Sequence, residues 1–194
     1  DGSLVDGDEL IYVIARHRLA AGNSDAGVVG TQMSNLGMEL ALREEGLQFV
    51  RAKVGDRYVK EMMEAEGWHL GGESSGHIIC SDVTTTGDGI VAALQVLHAV
   101  KASGKTLAVL RSGMIKYPQV MINVTVSGRV QLDQHPELDA AVKAAEAQLG
   151  ERGRVLLRPS GTEPVVRVMI EGEDGAEVKT LCENLAVDVE KLLA

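Results

Sequence analysis

The chain has 194 residues, with 19 basic and 28 acidic side chains and a formal net charge of −9. This acidic balance argues against nucleic acid as an electrostatic partner, and an aromatic content of 3% leaves few rings on which bases could stack. No apolar run approaches the roughly 20 residues of a membrane-spanning helix, and no apolar leader opens the chain. We therefore expect a soluble, cytoplasmic protein that is not exported and has no membrane partner.

Two cysteines, Cys80 and Cys182, lie far apart and lack the close spacing of a metal or redox motif. We expect buried free thiols, as in a reducing cytoplasm, with a disulfide or a metal role as the alternative. The chain opens at Asp1 without a methionine. This start suggests a piece of something longer.

The first part of the chain, residues 1–113, alternates helical and strand-like patterns. Periodicity predicts helices over 9–20, 36–45, 57–66 and 89–102, and strands over 27–32 and 47–54. Asp56 is placed to cap the third helix, and Ile90, Leu94 and Leu97 recur at helical spacing in the fourth. The alternation has the spacing of βαβ units, so we predict an α/β domain with a mixed, mainly parallel sheet covered by helices.

The alternation stops near residue 113, and a second domain is expected over 114–194. Apolar and polar residues alternate over 120–126, which predicts a strand with one buried face. A helix over 138–149, two strands over 154–157 and 165–170, and a last helix over 178–192 follow. The second domain is therefore predicted to be a small α+β domain with an antiparallel sheet.

The segment 158–164, RPSGTEP, has the chemistry of a phosphate site. Arginine offers a planar fork of donors, serine and threonine add neutral donors, and glycine lets a backbone N–H approach an anion. Arg167, on the face of the next strand opposite its apolar side chains, can contribute as well. Over residues 151–170 four arginines stand against two glutamates, a local excess of +2 in an acidic chain. The alternative is a hairpin loop with surface arginines.

A second polar segment, GGESSGH at 71–77, stands immediately before an apolar run. Glu73 could accept hydrogen bonds from two neighbouring sugar hydroxyls, Ser75 could add a third, and His77 could bind phosphate or carry a proton. This chemistry matches a carbohydrate. The alternative is a glycine-rich turn with a core histidine.

Residues 54–58, VGDRY, stand where a strand gives way to a helix, and ligands bind at such strand ends in α/β sheets. The alternative is that Asp56 only caps the helix and that Arg57 and Tyr58 face solvent.

Two further segments resemble known ligand loops only in part. Asp6-Gly7-Asp8 resembles part of a cation loop, but it lacks a third oxygen ligand at short spacing, so we expect a turn that caps a helix and no metal site. TTTGDG at 84–89 lacks the lysine of a P-loop, and helix capping explains it better.

Taken together, GGESSGH and RPSGTEP, with their order and separation, resemble two loops of the α-D-phosphohexomutase family. Segments 4–10, 33–37 and 54–59 resemble the branch that interconverts glucosamine 6-phosphate and glucosamine 1-phosphate. The resemblance covers essentially the whole chain. It implies the third and fourth of the family's four domains, with the fourth acting as a phosphate-binding lid.

The resemblance also implies roles for individual residues. Glu73 and Ser75 would bind sugar hydroxyls, and His77 would be a candidate proton carrier. The turn of Gly55, Asp56 and Arg57 would help to choose the sugar. The phosphate site would comprise Arg158, Ser160, Gly161 and Thr162.

The family's phosphoserine loop and magnesium loop are not found in this sequence, and the resemblance assigns both to an N-terminal half. It implies an isomerase that transfers phosphate from the phosphoserine through a bisphosphorylated sugar. We therefore expect magnesium in the full-length enzyme but none held here, and no activity of this chain alone. The expected partners are a phosphosugar and the N-terminal domains of the same polypeptide. A phosphomannomutase or phosphoglucomutase, or a non-catalytic phosphosugar-binding module, is the alternative.

Overall fold

The computed structural model describes residues 2–23, 25–128, 130–161 and 163–193. The chain divides into two compact units, Asp1–Lys116 and Tyr117–Ala194, three residues beyond the boundary expected after residue 113. Within the described ranges, no helix combines the length and the apolar character needed to cross a membrane.

The first unit is an α/β domain. Its elements are α1 Gly7–Ala20, β1 Gly27–Thr31, α2 Leu36–Glu44, β2 Gln48–Ala52, α3 Asp56–Glu66, β3 Leu70–Gly72, β4 Ile78–Cys80, α4 Gly89–Ser103 and α5 Leu107–Arg111. The strands lie in the order β2-β1-β3-β4, with β1 parallel to β2 and β3, and β4 antiparallel to β3. This arrangement confirms the mixed, mainly parallel sheet.

The sheet of the first unit is buried on both faces, as the apolar strands require. Val28 packs into one core with side chains of α1, α2 and α4, whereas its neighbour Val29 packs into a second core with Val59 and Trp68. Successive side chains of a strand point to opposite faces, which explains this division.

Both cysteines are buried free thiols, as predicted. Burial raises the pKa of Cys80 and of Cys182 above the usual value for a thiol. Both thiols are therefore poorly reactive near neutral pH.

The first helix begins with a reciprocal capping box. The Asp6 side chain accepts from the Glu9 N–H, and the Glu9 side chain accepts from the Asp6 N–H, each at 3.1 Å. The same acidic turn holds the last residues of the unit, because Lys116 pairs with Asp6 and Arg111 pairs with Glu9. The helix-capping turn predicted from Asp6-Gly7-Asp8 is confirmed.

The predicted cap of α3 is wrong. Gly55, with φ of 126°, is the residue that precedes the helix, and Asp56 is its first helical residue. The Asp56 carboxylate accepts from the adjacent Arg57 N–H at 2.8 Å instead of capping the turn from outside. Glycine adopts a positive φ easily, so the chain turns from strand to helix at Gly55. The helix therefore begins one residue earlier than the sequence pattern indicates.

Helix α4 forms as predicted, but its buried face differs from the one the pattern indicates. Asp88 caps it by accepting from the N–H groups of Ile90 and Val91 at 2.8 and 3.0 Å. The side chains that enter the core are Ala92, Val96 and Ala99. Ile90, Leu94 and Leu97, whose spacing predicted the helix, are exposed.

The second unit is a small α+β domain, as predicted. Its elements are β5 Gln119–Thr125, α6 Pro136–Leu149, β6 Gly153–Pro159, β7 Val165–Gly172 and α7 Gly175–Leu193. The sheet is antiparallel in the order β5-β7-β6. Val166, Val168 and Ile170 of β7 pack in one core with side chains of α6 and α7, which leaves Arg167 on the other face of the sheet.

Candidate functional site

The loop of the β3–β4 hairpin, residues 73–77, is closed by its own backbone. The Glu73 N–H donates to the His77 carbonyl at 3.1 Å, and the Gly76 N–H donates to the Glu73 carbonyl at 3.0 Å. Gly76 has φ of 96°, and a Cβ on Gly72 would lie 2.6 Å from the His77 carbonyl oxygen. The glycines therefore fix Glu73 and His77 at the two ends of one tight loop.

The hairpin loop meets the turn at the start of α3. Glu73 Oε1 accepts from the Gly55 N–H at 3.0 Å, and Asp56 Oδ2 lies 3.6 Å from His77 Nε2. Two segments that the sequence separates by 18 residues are thus brought together. The result is a cluster of a carboxylate, an imidazole and a second carboxylate at the end of the sheet.

Two other residues assigned to this site lie differently. Arg57 Nε pairs with Glu61 of its own helix at 2.8 Å, and its side chain is 80% exposed. Ser75 is exposed in the hairpin loop. The structure gives Arg57 no contact with the hairpin loop, so its assigned role stays a prediction.

The imidazole of His77 is held by a loop that sequence analysis credited only with helix capping. A Cβ on Gly87 would run into the ring, so the bare glycine packs directly against it. Lys60 Nζ of α3 donates to the Thr85 carbonyl in the same loop at 3.0 Å. His77 Nε2 has no hydrogen-bond partner among the described residues, and the side chain is 38% exposed, more than a core histidine would be.

In the second unit, Arg158 of β6 and Arg167 of β7 face each other across the antiparallel ladder. Arg167 pairs with Glu163 at 3.0 Å, but in the described part of the chain neither arginine Nε has a hydrogen-bond partner. Burial lowers the pKa of Arg158 below its usual value, and the positive charge of Arg167 lowers it further. Like charges directly opposite each other in a ladder are destabilising, and a bound anion would relieve that cost.

The remaining arginines of this region are neutralised, which corrects the local excess of +2 expected from the sequence. Arg152 pairs with Glu177 at 2.7 Å, and Arg154 pairs with the fully buried Glu171. Both glutamates lie outside the window 151–170 over which the charge was counted. Because Arg167 pairs with Glu163, Arg158 is the arginine of this region for which no carboxylate partner is found among the described residues.

The loop between these strands is shaped by hydrogen bonds at Ser160. Its N–H donates to the Val165 carbonyl at 2.9 Å, and its hydroxyl accepts from the Glu163 N–H at 3.2 Å. A Cβ on Gly161 would have open space around it, so this glycine is not required by crowding in this structure. Thr162, also assigned to the phosphate site, lies outside the described residues.

A cavity of about 580 Å³ adjoins the same loop. Its walls include Ser160, Gly161 and Glu163 on the loop and Val126 and Val130 after β5. The two arginines do not line it. The loop therefore offers a partly apolar cavity and, separately, the arginine pair.

Strand register adds a residue that sequence analysis missed. Asn123 of β5 stands opposite Arg167, so Asn123, Arg167 and Arg158 form one row across the three strands. Asn123 is exposed and carries both a donor and an acceptor. No pattern within a single strand could have identified it, because the row exists only once the strands pair.

The described residues do not fit a magnesium site. Their carboxylates, imidazoles and thiols nowhere gather in a group of three or more that could hold a metal ion. In the acidic turn at the start of α1, Asp6 and Glu9 pair with Lys116 and Arg111, and Asp8 accepts from the Asn35 N–H at 2.8 Å. Structural contacts therefore engage the Asp6 and Glu9 carboxylates and one oxygen of Asp8.

Comparison with known proteins gives two family matches. Residues 6–117 match the family model described as phosphoglucomutase/phosphomannomutase, alpha/beta/alpha domain III. Residues 121–187 match the model of the C-terminal domain of the same family. The matched ranges correspond to the two units.

Similar proteins are known from several bacteria and from a fungus. A phosphoglucosamine mutase of Cellvibrio japonicus is 58% identical over 193 residues, covering 100% of this chain and 43% of that protein. One of Marinobacter nauticus is 56% identical over 191 residues, covering 98% of this chain and 43% of that protein. This chain therefore spans less than half the length of these curated relatives.

A solved structure supports the fold. The N-acetylphosphoglucosamine mutase of Aspergillus fumigatus, in complex with GlcNAc-6P and magnesium, superposes with a TM-score of 0.81 at 21% identity, covering 99% of this chain and 45% of that one. Because the first family model alone covers more than half of the chain, the chain belongs to the phosphoglucomutase/phosphomannomutase family, as its two loops predicted, and comprises that family's domain III and C-terminal domain.

Proposed function

We propose that this chain is the sugar- and phosphate-binding part of a phosphoglucosamine mutase, a longer polypeptide that interconverts glucosamine 6-phosphate and glucosamine 1-phosphate. The observation that carries the proposal is the facing pair Arg158 and Arg167. The amino sugar is supported by the names of relatives that are 56–58% identical along nearly the whole chain.

The phosphate is bound at the loop end of the β6–β7 ladder. Among the described residues the Nε atoms of both guanidinium groups lack a hydrogen-bond partner, and a phosphate dianion accepts several hydrogen bonds from charged donors at once. Ser160 and Gly161 lie in the loop beside them, and Thr162 follows them in the sequence as the remaining proposed member of the site. Binding there neutralises the repulsion between the two arginines.

The sugar is bound where the 73–77 loop meets the start of α3. Glu73 accepts from sugar hydroxyls while keeping its bond to the Gly55 N–H, and Ser75 lies exposed beside it. His77 carries a proton to or from a sugar oxygen, and the Asp56 carboxylate lies 3.6 Å from its Nε2. Arg57 reaches the sugar by leaving Glu61, an exposed pair of low energy.

The phosphoserine that donates phosphate and the magnesium ligands belong to the rest of the polypeptide. This chain orients the non-reacting phosphate and hydroxyls, and such remote binding energy serves to position the reacting group. We place the enzyme in the cytoplasm, because both cysteines are free thiols and charged sugar phosphates do not cross a bilayer unaided.

The test is turnover by the longer polypeptide with glucosamine 6-phosphate, glucose 6-phosphate and mannose 6-phosphate. We expect the highest kcat/KM for the amino sugar, and no turnover by residues 1–194 alone. A higher value for either hydroxy sugar would assign the chain to a phosphoglucomutase or phosphomannomutase. Binding of the phosphosugars without turnover of any would favour a non-catalytic binding module.

A further inference from the structure

Helix α4 has two apolar faces. Ala92, Val96 and Ala99 enter the core and are no more than 8% exposed. Ile90, Leu94 and Leu97, which we call the outer face of α4, are 74%, 58% and 60% exposed. Both sets have the spacing i, i+4, i+7, and a shift of two residues puts them on opposite sides of the helix.

Single exposed apolar residues are ordinary, but a row of three large ones along one helix is not. An amphipathic surface helix turns a polar face to water, whereas a helix that is apolar all round is typical of a buried position. Nothing in the core requires the outer face of α4, because the opposite face makes the core contacts. The outer face therefore has the composition of a covered surface.

We propose that the polypeptide that precedes this chain in the full-length mutase packs against the outer face of α4. The surface of that polypeptide in contact with α4 is an uncharged aliphatic patch. This proposal rests on the longer polypeptide of the proposed function. The matched relatives are more than twice as long as this chain. Its first unit matches domain III of the family, and the numeral implies that earlier domains precede it in the longer polypeptide.

The size of the outer face favours a tethered occupant over a second copy of the chain. Helix α4 has 15 residues, so it is about 22 Å long and presents a footprint of about 200 Å². A stable interface between separate proteins buries about 800 Å² on each partner. A domain on the same polypeptide has an effective concentration on the order of millimolar, so a small apolar face holds it.

The outer face also limits the chemistry of its occupant. Ala93 adds a small exposed side chain beside the row, and the row ends at the exposed Lys101. Burying an unpaired charge or polar group against Leu94 and Leu97 would cost more than the contact returns. An occupant with aliphatic side chains therefore fits, and a charged ligand does not.

The experiment is thiol labelling of Leu94→Cys with an uncharged maleimide, in this chain and in the full-length polypeptide. The native thiols give a slow background, because both are buried and have raised pKa values. Glu183→Cys, at an exposed position of α7, calibrates the reagent in both proteins. Ile90→Cys repeats the measurement if Leu94→Cys alters the fold.

We expect Leu94→Cys to label in this chain as fast as Glu183→Cys, and to label at least about tenfold more slowly in the full-length polypeptide relative to that calibrating site. Equal relative rates in both proteins would overturn the proposal. Slow labelling already in this chain would also overturn it, and a rate that falls with protein concentration would identify a second copy as the occupant. Labelling needs no turnover, so an inactive polypeptide that still protects Leu94→Cys would refute the proposed function and leave this inference standing.

Discussion

Arg158 and Arg167 stand directly opposite each other in the β6–β7 ladder, and Arg167 has a carboxylate partner, Glu163, 3.0 Å away, whereas none is found for Arg158 within the described ranges. Such a pair costs stability in the absence of a ligand and gains affinity in its presence. The same face of the sheet carries Arg154, whose partner Glu171 is fully buried. We therefore expect Arg158 to bind the ligand and Arg154 to stabilise the fold, and substitutions can distinguish these two roles.

Arg158→Ala is expected to weaken glucosamine 6-phosphate binding to the full-length polypeptide by about 1.5–3 kcal/mol, the range for hydrogen bonds to a charged group. The free energy of unfolding should change by less than about 1 kcal/mol, because one of two facing like charges is removed. Calorimetry measures the first quantity and urea denaturation the second. Unchanged affinity would remove the β6–β7 loop from the site.

The matched control is Arg154→Ala. Arg154 lies on the same face of β6 as Arg158, four positions earlier in the strand. Here the fully buried Glu171 loses its ion-pair partner and keeps the hydrogen bond from Gln119, and breaking a buried ion pair costs about 3–5 kcal/mol of stability. Phosphosugar affinity, measured where the variant remains folded, should be unchanged. A stability loss for Arg158→Ala as large as for Arg154→Ala would contradict the ligand-binding assignment.

Glu73→Gln should weaken glucosamine 6-phosphate binding by roughly tenfold and leave inorganic phosphate binding unchanged. The amide keeps one oxygen to accept the Gly55 N–H, so the contact between the hairpin loop and α3 is retained while the charge is lost. Competition calorimetry with the two ligands measures the difference. Equal losses for both would show that Glu73 acts through the fold rather than on the sugar.

Gly87→Ala should lower kcat of the full-length polypeptide by about tenfold or more, because the added methyl group displaces the imidazole of His77. Gly89→Ala is the control: it changes the same type of residue two positions away, where a Cβ meets open space. The measurement is kcat together with the ¹⁵N shifts of the His77 ring. If the two substitutions lowered kcat equally, the cause would be the loss of backbone freedom in residues 84–89 rather than contact with His77.

The stability of the first unit should fall as the pH drops below about 6.5. Burial lowers the pKa of His17 below its usual value of 6.5, and the charges of His98 and Arg18 lower it further. The unfolded chain therefore takes up the proton first, so stability is fully present above pH 6.5 and is lost as pH falls through the folded-state pKa.

Trp68, the sole tryptophan, is buried in the first unit, so its fluorescence reports unfolding of that unit. Urea titrations between pH 5 and pH 7.5 should show a shallower pH dependence for His17→Gln than for the unsubstituted chain. His135→Gln, in the second unit, serves as the control. An identical slope in all three proteins would exclude His17 as the group responsible.

Local patterns predicted the elements well because they depend on neighbours along the chain. Each predicted helix and strand begins and ends within a few residues of its predicted position, and the segment 84–89 caps α4 through Asp88, whereas β3 and α5 were not predicted. The cap of α3 failed because glycine at position 55 adopts a positive φ that no hydrophobic pattern reveals.

Contacts between elements were beyond such patterns. The neutralisation of Arg152 and Arg154 depends on Glu177 and Glu171, which come near only when β7 and α7 fold back. The contact of Gly87 with His77 joins a loop to a strand end, and the row that includes Asn123 requires strand pairing. Residue types indicated the chemistry of the loops, but register and packing decided which side chains face each other.

Two ion pairs hold the beginning and the end of the first unit together. Lys116 with Asp6, and Arg111 with Glu9, fasten its last residues to the start of its first helix. A module whose entry and exit adjoin can be spliced into a larger architecture as a block, because the flanking sequence attaches at a single corner and the core is left undisturbed. The acidic turn at Asp6 therefore holds the two ends of the unit together, so that the unit can be inserted into a longer chain without a change in its core.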